Sequence, residues 1–282
     1  MRTSADRVGQ VIGDRFRLDA LIGRGAMADV FRAQDGQTGN SIALKILRRP
    51  VADDAQTVQR FAREADVQAK LRHRNIAALL GTGMTAHGEP FIAVELLRGT
   101  SLRGALATTP VLPPRRAASY AWQALQGLAA VHAAGVLHRD LKPANIMLEA
   151  SPGPVERVVL IDFGFATLEG AVKLTAQGAI VGSLTYIAPE RLRGEITDAR
   201  SDLYGMGVIL YEMLAGRPPF VAENEYDLVA AHLDHAPPAL PAAIPASLQT
   251  ICAYSLAKHP GERYPTATDM AAALELASRE LG

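Results

Sequence analysis

His138-Arg139-Asp140-Leu141-Lys142-Pro143-Ala144-Asn145, followed by Asp162-Phe163-Gly164, brings a base, a cation and two hard oxygen ligands into one stretch of chain. That set suits phosphoryl transfer, which asks a protein chiefly for positioning and for stabilisation of charge on the transferred oxygens. Asp140 is the candidate to orient an acceptor hydroxyl, and Asn145 and Asp162 are the candidates to hold magnesium. Mg²⁺ prefers oxygen ligands in near-octahedral geometry and keeps several waters. One carboxylate, one amide and phosphate oxygens therefore make a sensible site, whereas a softer metal would call for Cys or His. Taken alone, Asp162-Phe163-Gly164 reads equally well as a turn and His138-Arg139-Asp140 as a surface loop. Their order, with a hydrophobic hairpin between them, argues against accident. Ile146-Met147-Leu148 and Val158-Val159-Leu160-Ile161 read as short strands around the turn signal Ser151-Pro152-Gly153-Pro154. Such a hairpin would hold Asn145 and Asp162 on one rim.

A chain of 282 residues allows one large domain or two lobes. Lys plus Arg and Asp plus Glu both number 29, a formal net charge of +0, so bulk charge gives no argument for nucleic acid or a membrane surface as partner. The lone cysteine, Cys252, has no partner for an internal disulfide and reads as a core thiol in a reducing compartment. Met1 to Gln10 lacks an apolar signal region, and no window reaches the roughly 18 consecutive apolar residues of a spanning helix. The expectation is a cytoplasmic chain with no membrane segment.

Working outward, residues 15–48 alternate apolar and polar positions (Phe16, Leu18, Leu21; Val30, Phe31; Ile42 to Leu47) and suggest three antiparallel strands. Val58, Phe61, Ala65 and Leu71 share a helical face ending near His73, and two more strands are expected at Ile76 to Leu80 and Phe91 to Leu97. After Arg98-Gly99 the pattern becomes helical. Ala117, Tyr120, Ala124, Leu128 and Val131 predict a helix over about 115–134, closed by Gly135. Ser201-Asp202 reads as the N-cap of a buried helix from Leu203 to Ala215, ended by Gly216 and Pro218-Pro219. A Pro-rich loop from His235 to Pro245 precedes helices at about 247–257 and 266–280.

Ile22-Gly23-Arg24-Gly25-Ala26-Met27-Ala28-Asp29-Val30 lies between two strands, not between a strand and a helix. Its glycines therefore belong at the bend of a hairpin, a flap over phosphates, and not at a helix N-terminus. Lys45, in Ala43-Leu44-Lys45, and Glu64, on the lone helix of the first half, are the candidates for a phosphate-binding lysine and the carboxylate that holds it.

With these motifs in this order, the chain resembles a eukaryotic-like (Hanks-type) serine/threonine protein kinase catalytic domain of the bacterial kind, from about Phe16 to Leu276. The resemblance implies an α+β, bilobal fold. A small antiparallel sheet with one main helix would occupy about 10–97, and a larger, mostly helical lobe 98–282. It implies ATP in the crevice with Mg²⁺, Mn²⁺ being an alternative. Adenine would lie among Ile22, Val30, Ala43 and Met147, with a hinge from Glu95 to Leu97, a gatekeeper at Val94, and Gly23 and Gly25 over the phosphates. Asp140 would orient the acceptor, Lys142 steady the γ-phosphate and favour Ser/Thr acceptors, and Asn145 and Asp162 carry the metal. Ala188-Pro189-Glu190 would close an activation segment anchored by Arg263, and Asp202 would support the catalytic loop. Arg139 implies control by phosphorylation of that segment, with Thr175 the first candidate ahead of Ser183 and Thr185. The implied partners are protein substrates and, for autophosphorylation, a transient homodimer.

Two positions depart from the family pattern: Ala28 replaces the third loop glycine, and Gln68 stands where an apolar residue is usual. They are the only support for the alternative, a pseudokinase scaffold without turnover. A small-molecule kinase would share the Asp/Asn/Asp core but not Ala188-Pro189-Glu190 with its arginine. His232 and His235 read as a solvated helix end, and His138 as packing.

Overall fold

The computed structural model describes residues 4–25, 27–48, 52, 54–151, 156–162 and 184–280, with the side chains of 4, 5, 55–57, 60, 63, 64 and 67 excepted. Phe163, Gly164, Thr175 and Ser183 lie outside the described residues. The chain forms two compact units, 1–98 and 99–282.

The first unit is one antiparallel sheet with a helix. Strands β1 (Val11–Ile12), β2 (Phe16–Arg24), β3 (Ala28–Asp35), β4 (Ser41–Leu47), β5 (Leu79–Met84) and β6 (Pro90–Glu95) lie in the order β1-β2-β3-β4-β6-β5. Alternation sends Phe16, Leu18, Phe31, Ala33, Ile42, Leu44, Ile46, Phe91 and Ala93 to one face, where they form the core. The opposite face receives helix α1 (Ala55–Lys70), whose Phe61 and Ala65 pack on Leu47 and Ile92. The strand expected at Ile76 to Leu80 forms three residues later. Ile76 and Ala77 are buried but precede it, and Gly81 and Gly83 concealed its true span. Gly83 has a packing reason: a Cβ there would lie 2.7 Å from the Phe91 ring. Gln68 is buried, and its amide donates to the Ala77 carbonyl (3.0 Å), so the polar departure ties α1 to the segment leading into β5.

The second unit is mostly helical. It comprises β7 (Gly99–Ser101), α2 (Leu102–Thr108), α3 (Pro114–Ala133), β8 (Ile146–Glu149), β9 (Arg157–Leu160), α4 (Pro189–Leu192), α5 (Ala199–Ala215), α6 (Glu225–Asp234), α7 (Ala246–Ser255) and α8 (Ala267–Glu280). Helix α3 starts on Pro114, whose missing N–H costs a first turn nothing, and stops before Gly135 at φ 73°. Every residue of α5 from Ser201 to Leu214 is buried. Its N-cap, however, is Asp198, whose carboxylate accepts from the Arg200 N–H (2.8 Å). Ser201 and Asp202 sit inside the first turn because their side chains are committed elsewhere. Helix α2, absent from the sequence reading, and helix α6, of which only the end at His232 and His235 was read, are short and capped by Ser101 and Asn224.

Candidate active site

In the first unit, register fixes what shares a surface. Gly23 pairs with Val30, Val30 with Lys45, Lys45 with Ile92, and Ala43 with Val94. Directly opposed residues point to the same side, so Gly23, Val30, Ala43, Lys45 and Val94 lie on the face that also carries α1. Glu64 belongs to α1, though its side chain is outside the described ones. Ile22 falls at the irregularity between Leu21 and Gly23 and is half exposed. Gly25 closes the turn: its N–H donates to the Ala28 carbonyl (2.9 Å), which a Cβ would approach to 3.2 Å. Ala28, the departure from the glycine pattern, is a buried strand residue opposite Leu47. The Glu95 carboxylate accepts from the Ala78 N–H (3.1 Å), and Leu97 follows the end of β6, partly buried.

In the second unit, the β8–β9 hairpin sets one rim. Ile146 pairs with Leu160, and the Ile161 N–H donates to the Asn145 carbonyl (3.0 Å), which places Asn145 and Asp162 beside the same strand ends. Met147 lies on β8, partly buried. Lys142 Nζ donates to Asp140 Oδ2 at 2.7 Å. Asn145 Nδ2 donates to the Asp140 carbonyl (2.8 Å) and to Oδ2 (2.9 Å). With its nitrogen so engaged, the Asn145 amide keeps its oxygen for a ligand. An amide oxygen and the Asp162 carboxylate are the hard donors a magnesium–nucleotide complex takes, so the residues fit that group.

The loop's backbone is held from behind. Asp202, 3% exposed, accepts from the N–H groups of His138 (2.8 Å) and Arg139 (2.9 Å) and from His132 Nε2 (2.8 Å). Burial alone would raise the Asp202 pKa. The hydrogen bond and charge of His132, the nearby His138 and the Arg139 N–H more than offset this and hold the carboxyl below its usual range. His138 itself is fully buried, and burial pushes its pKa down. Glu190 and Arg263 form a bidentate pair (2.8 and 2.9 Å), 1% and 2% exposed, and Ser201 Oγ also donates to Glu190.

Sequence reasoning missed three contributors. His132 reaches Asp202 from the last turn of α3. Arg103 donates to Glu212 (2.9 Å) and to the Tyr186 hydroxyl, which donates to Glu212 (2.7 Å), so the segment after residue 184 is pinned to α2 and α5. Arg191 donates to the Arg139 carbonyl. None stands in a short motif; each acts across more than 25 positions, which periodicity does not register.

A family model described as the protein kinase domain matches residues 16–273. The chain belongs to the protein kinase family. Among its relatives, a probable serine/threonine-protein kinase PknB of Corynebacterium glutamicum is 37% identical over 95% of this chain and 43% of its own length. The serine/threonine-protein kinase pkn3 of Myxococcus xanthus is 35% identical over 99% of this chain and 53% of its own. This kinase domain thus spans about half the length of the curated relatives it matches. The PknI kinase domain of Mycobacterium tuberculosis superposes with a TM-score of 0.73 at 25% identity, covering 95% of this chain and 98% of that one.

Proposed function

We propose that this kinase domain transfers the γ-phosphoryl group of ATP to serine and threonine hydroxyls of proteins. The observation that carries the reading is the cluster in which Lys142 and Asn145 both donate to the Asp140 carboxylate, with Asp162 at the adjoining hairpin end. The acceptor oxygen forms the new bond to the γ-phosphorus as the bridging oxygen leaves with ADP. The acceptor proton passes to Asp140, and Lys142 offsets charge on the transferred oxygens. Asn145 and Asp162 would hold the metal ions, and Lys45, positioned by Glu64, would bind the α- and β-phosphates. Val30, Ala43, Met147, Glu95 and Leu97 would line the adenine. The bacterial serine/threonine kinases among the relatives support the acceptor class.

Purified protein given MgATP and a generic basic acceptor protein should add phosphate to serine and threonine, read by mass spectrometry. Absence of any added mass on acceptor or enzyme, with the fold intact, would leave only a nucleotide-binding scaffold. Gln68 gives that second reading no support, since its amide is hydrogen-bonded within the first unit. Autophosphorylation belongs to the same proposal, with Thr175 as the site whose phosphate Arg139 would meet. Phosphopeptide mapping that finds no phosphate at Thr175 removes that assignment.

A further inference from the structure

Arg139 sits at φ 63°, a left-handed conformation uncommon for a residue with a side chain, and the Asp140 N–H donates back to the His138 carbonyl (2.8 Å). The two facts describe a γ-turn centred on Arg139, a strained turn that persists only where its surroundings over-determine it. Asp202 restrains one side of the turn by accepting the N–H groups of His138 and Arg139. On the other side, the Arg139 carbonyl accepts from Arg191 Nη1. Both arginines, Asp140 and Asp202 line a cavity of about 140 Å³, together with Leu184 and Tyr186. Burial, with the charge of Arg139, pushes the Arg191 pKa down, and attraction from Asp202, Asp140 and Glu190 offsets only part of this. The preceding residue of α4, Glu190, is the one locked to Arg263.

Resting on the kinase reading above, we infer that Arg191 is a positioning residue. Its guanidinium clamps the Arg139 carbonyl, so that Asp140 leaves the turn in one direction only. Glu190 and Arg191 divide the work of α4. One residue fixes the helix to the Arg263 side of the unit, and the next carries that fixed position to the catalytic loop. Arg191 touches no reacting atom, so its loss should appear in turnover and not in nucleotide affinity. A misplaced catalytic group is costly even when the displacement is small. The cavity admits water to the orphaned carbonyl, which softens the loss without restoring the direction of the turn.

The test compares wild type with Arg191→Met, which keeps the stem and removes the donors, and Arg191→Lys, which restores one cationic donor. Each is assayed for kcat, KM for MgATP and melting temperature. For Arg191→Met, kcat should fall about ten- to a hundredfold with KM for MgATP within about twofold of wild type, and Arg191→Lys should recover most of the loss. A Met variant within about twofold of wild-type kcat overturns the inference, as does a Lys variant no more active than Met at the same melting temperature. If the Met variant does not fold, Arg191→Gln takes its place. That polar side chain is too short to span to the carbonyl, and the same thresholds apply. An inactive wild type would instead sink the kinase reading itself, whereas an active wild type with an indifferent Arg191→Met sinks only the clamp.

Discussion

Asp140 is oriented from two sides: Asn145 and Lys142 donate to its carboxylate, and Asp202 holds the N–H groups of His138 and Arg139 just ahead of it. Replacing Asp140 by Asn keeps the shape and removes the proton acceptor, so kcat should fall by a factor of about 10²–10⁴ with nucleotide affinity little changed. Steady-state turnover within a few-fold of wild type would exclude Asp140 as base. Much of this residue-scale geometry was legible, because the loop and hairpin motifs hold their partners within about 25 positions. His232 was not legible. Read as a solvated helix end, it is fully buried at the end of α6, with the Tyr204 hydroxyl hydrogen-bonded to Nδ1 (2.9 Å) and the Phe220 ring edge-on at 4.9 Å. Burial, with the charge of Lys258 nearby, lowers its pKa to about 4. Between that value and the ordinary 6.5 the folded protein keeps His232 neutral while the unfolded chain binds a proton, so stability falls as pH drops through this window. The full effect is about 3 kcal/mol. Melting temperatures measured from pH 7.5 to 4.5 should fall more steeply for wild type than for His232→Gln; equal slopes would show that this histidine does not carry the effect.

Among the elements, α4 and α5 show where the reading succeeded and where it stopped. The pairing of Glu190 with Arg263 was legible through the resemblance, 73 positions apart, because a buried arginine fork needs a carboxylate and the motif supplies one. The start of α5 was misplaced for a physical reason. Ser201 and Asp202 have the chemistry of an N-cap, but Ser201 donates to Glu190 and Asp202 serves the catalytic loop, so the helix is capped earlier by Asp198. Alternation made β2, β3 and β4 readable. Gly81 and Gly83, the latter with its side-chain space filled by Phe91, hid β5, and only the end of α6 was read. Because Glu190 and Arg263 are both nearly dry, Arg263→Ala strands a carboxylate and should destabilise the protein by about 3–5 kcal/mol. Urea unfolding measures this directly. A loss below about 1 kcal/mol would mean that water reaches the pair, contrary to its burial.

At the scale of the whole molecule, an antiparallel sheet with its helix and a mostly helical unit each carry part of the proposed nucleotide chemistry: Lys45 in the first, Asn145 and Asp162 in the second. Among the described residues no helix is long and apolar enough to cross a membrane. With equal numbers of acidic and basic residues, the chain offers no bulk field to attract a polyanion, so affinity for a triphosphate would come from these few groups and the metal proposed for them. A ligand that binds only the folded state stabilises it by mass action, about 2.7 kcal/mol at a hundred times its Kd. MgATP should therefore raise the melting temperature of the whole protein. Lys45→Met removes the cation proposed for the α- and β-phosphates, and Asp162→Asn removes the proposed charged metal ligand, so each should abolish most of that rise while leaving the unliganded melting temperature close to wild type. Asp162→Asn should also erase the difference between ATP given with magnesium and ATP given with chelator, whereas Lys45→Met should weaken both. Arg263→Ala should lower the unliganded melting temperature and keep the nucleotide-induced rise. A full rise in both Lys45→Met and Asp162→Asn would place the triphosphate elsewhere and remove the assignment of these residues together.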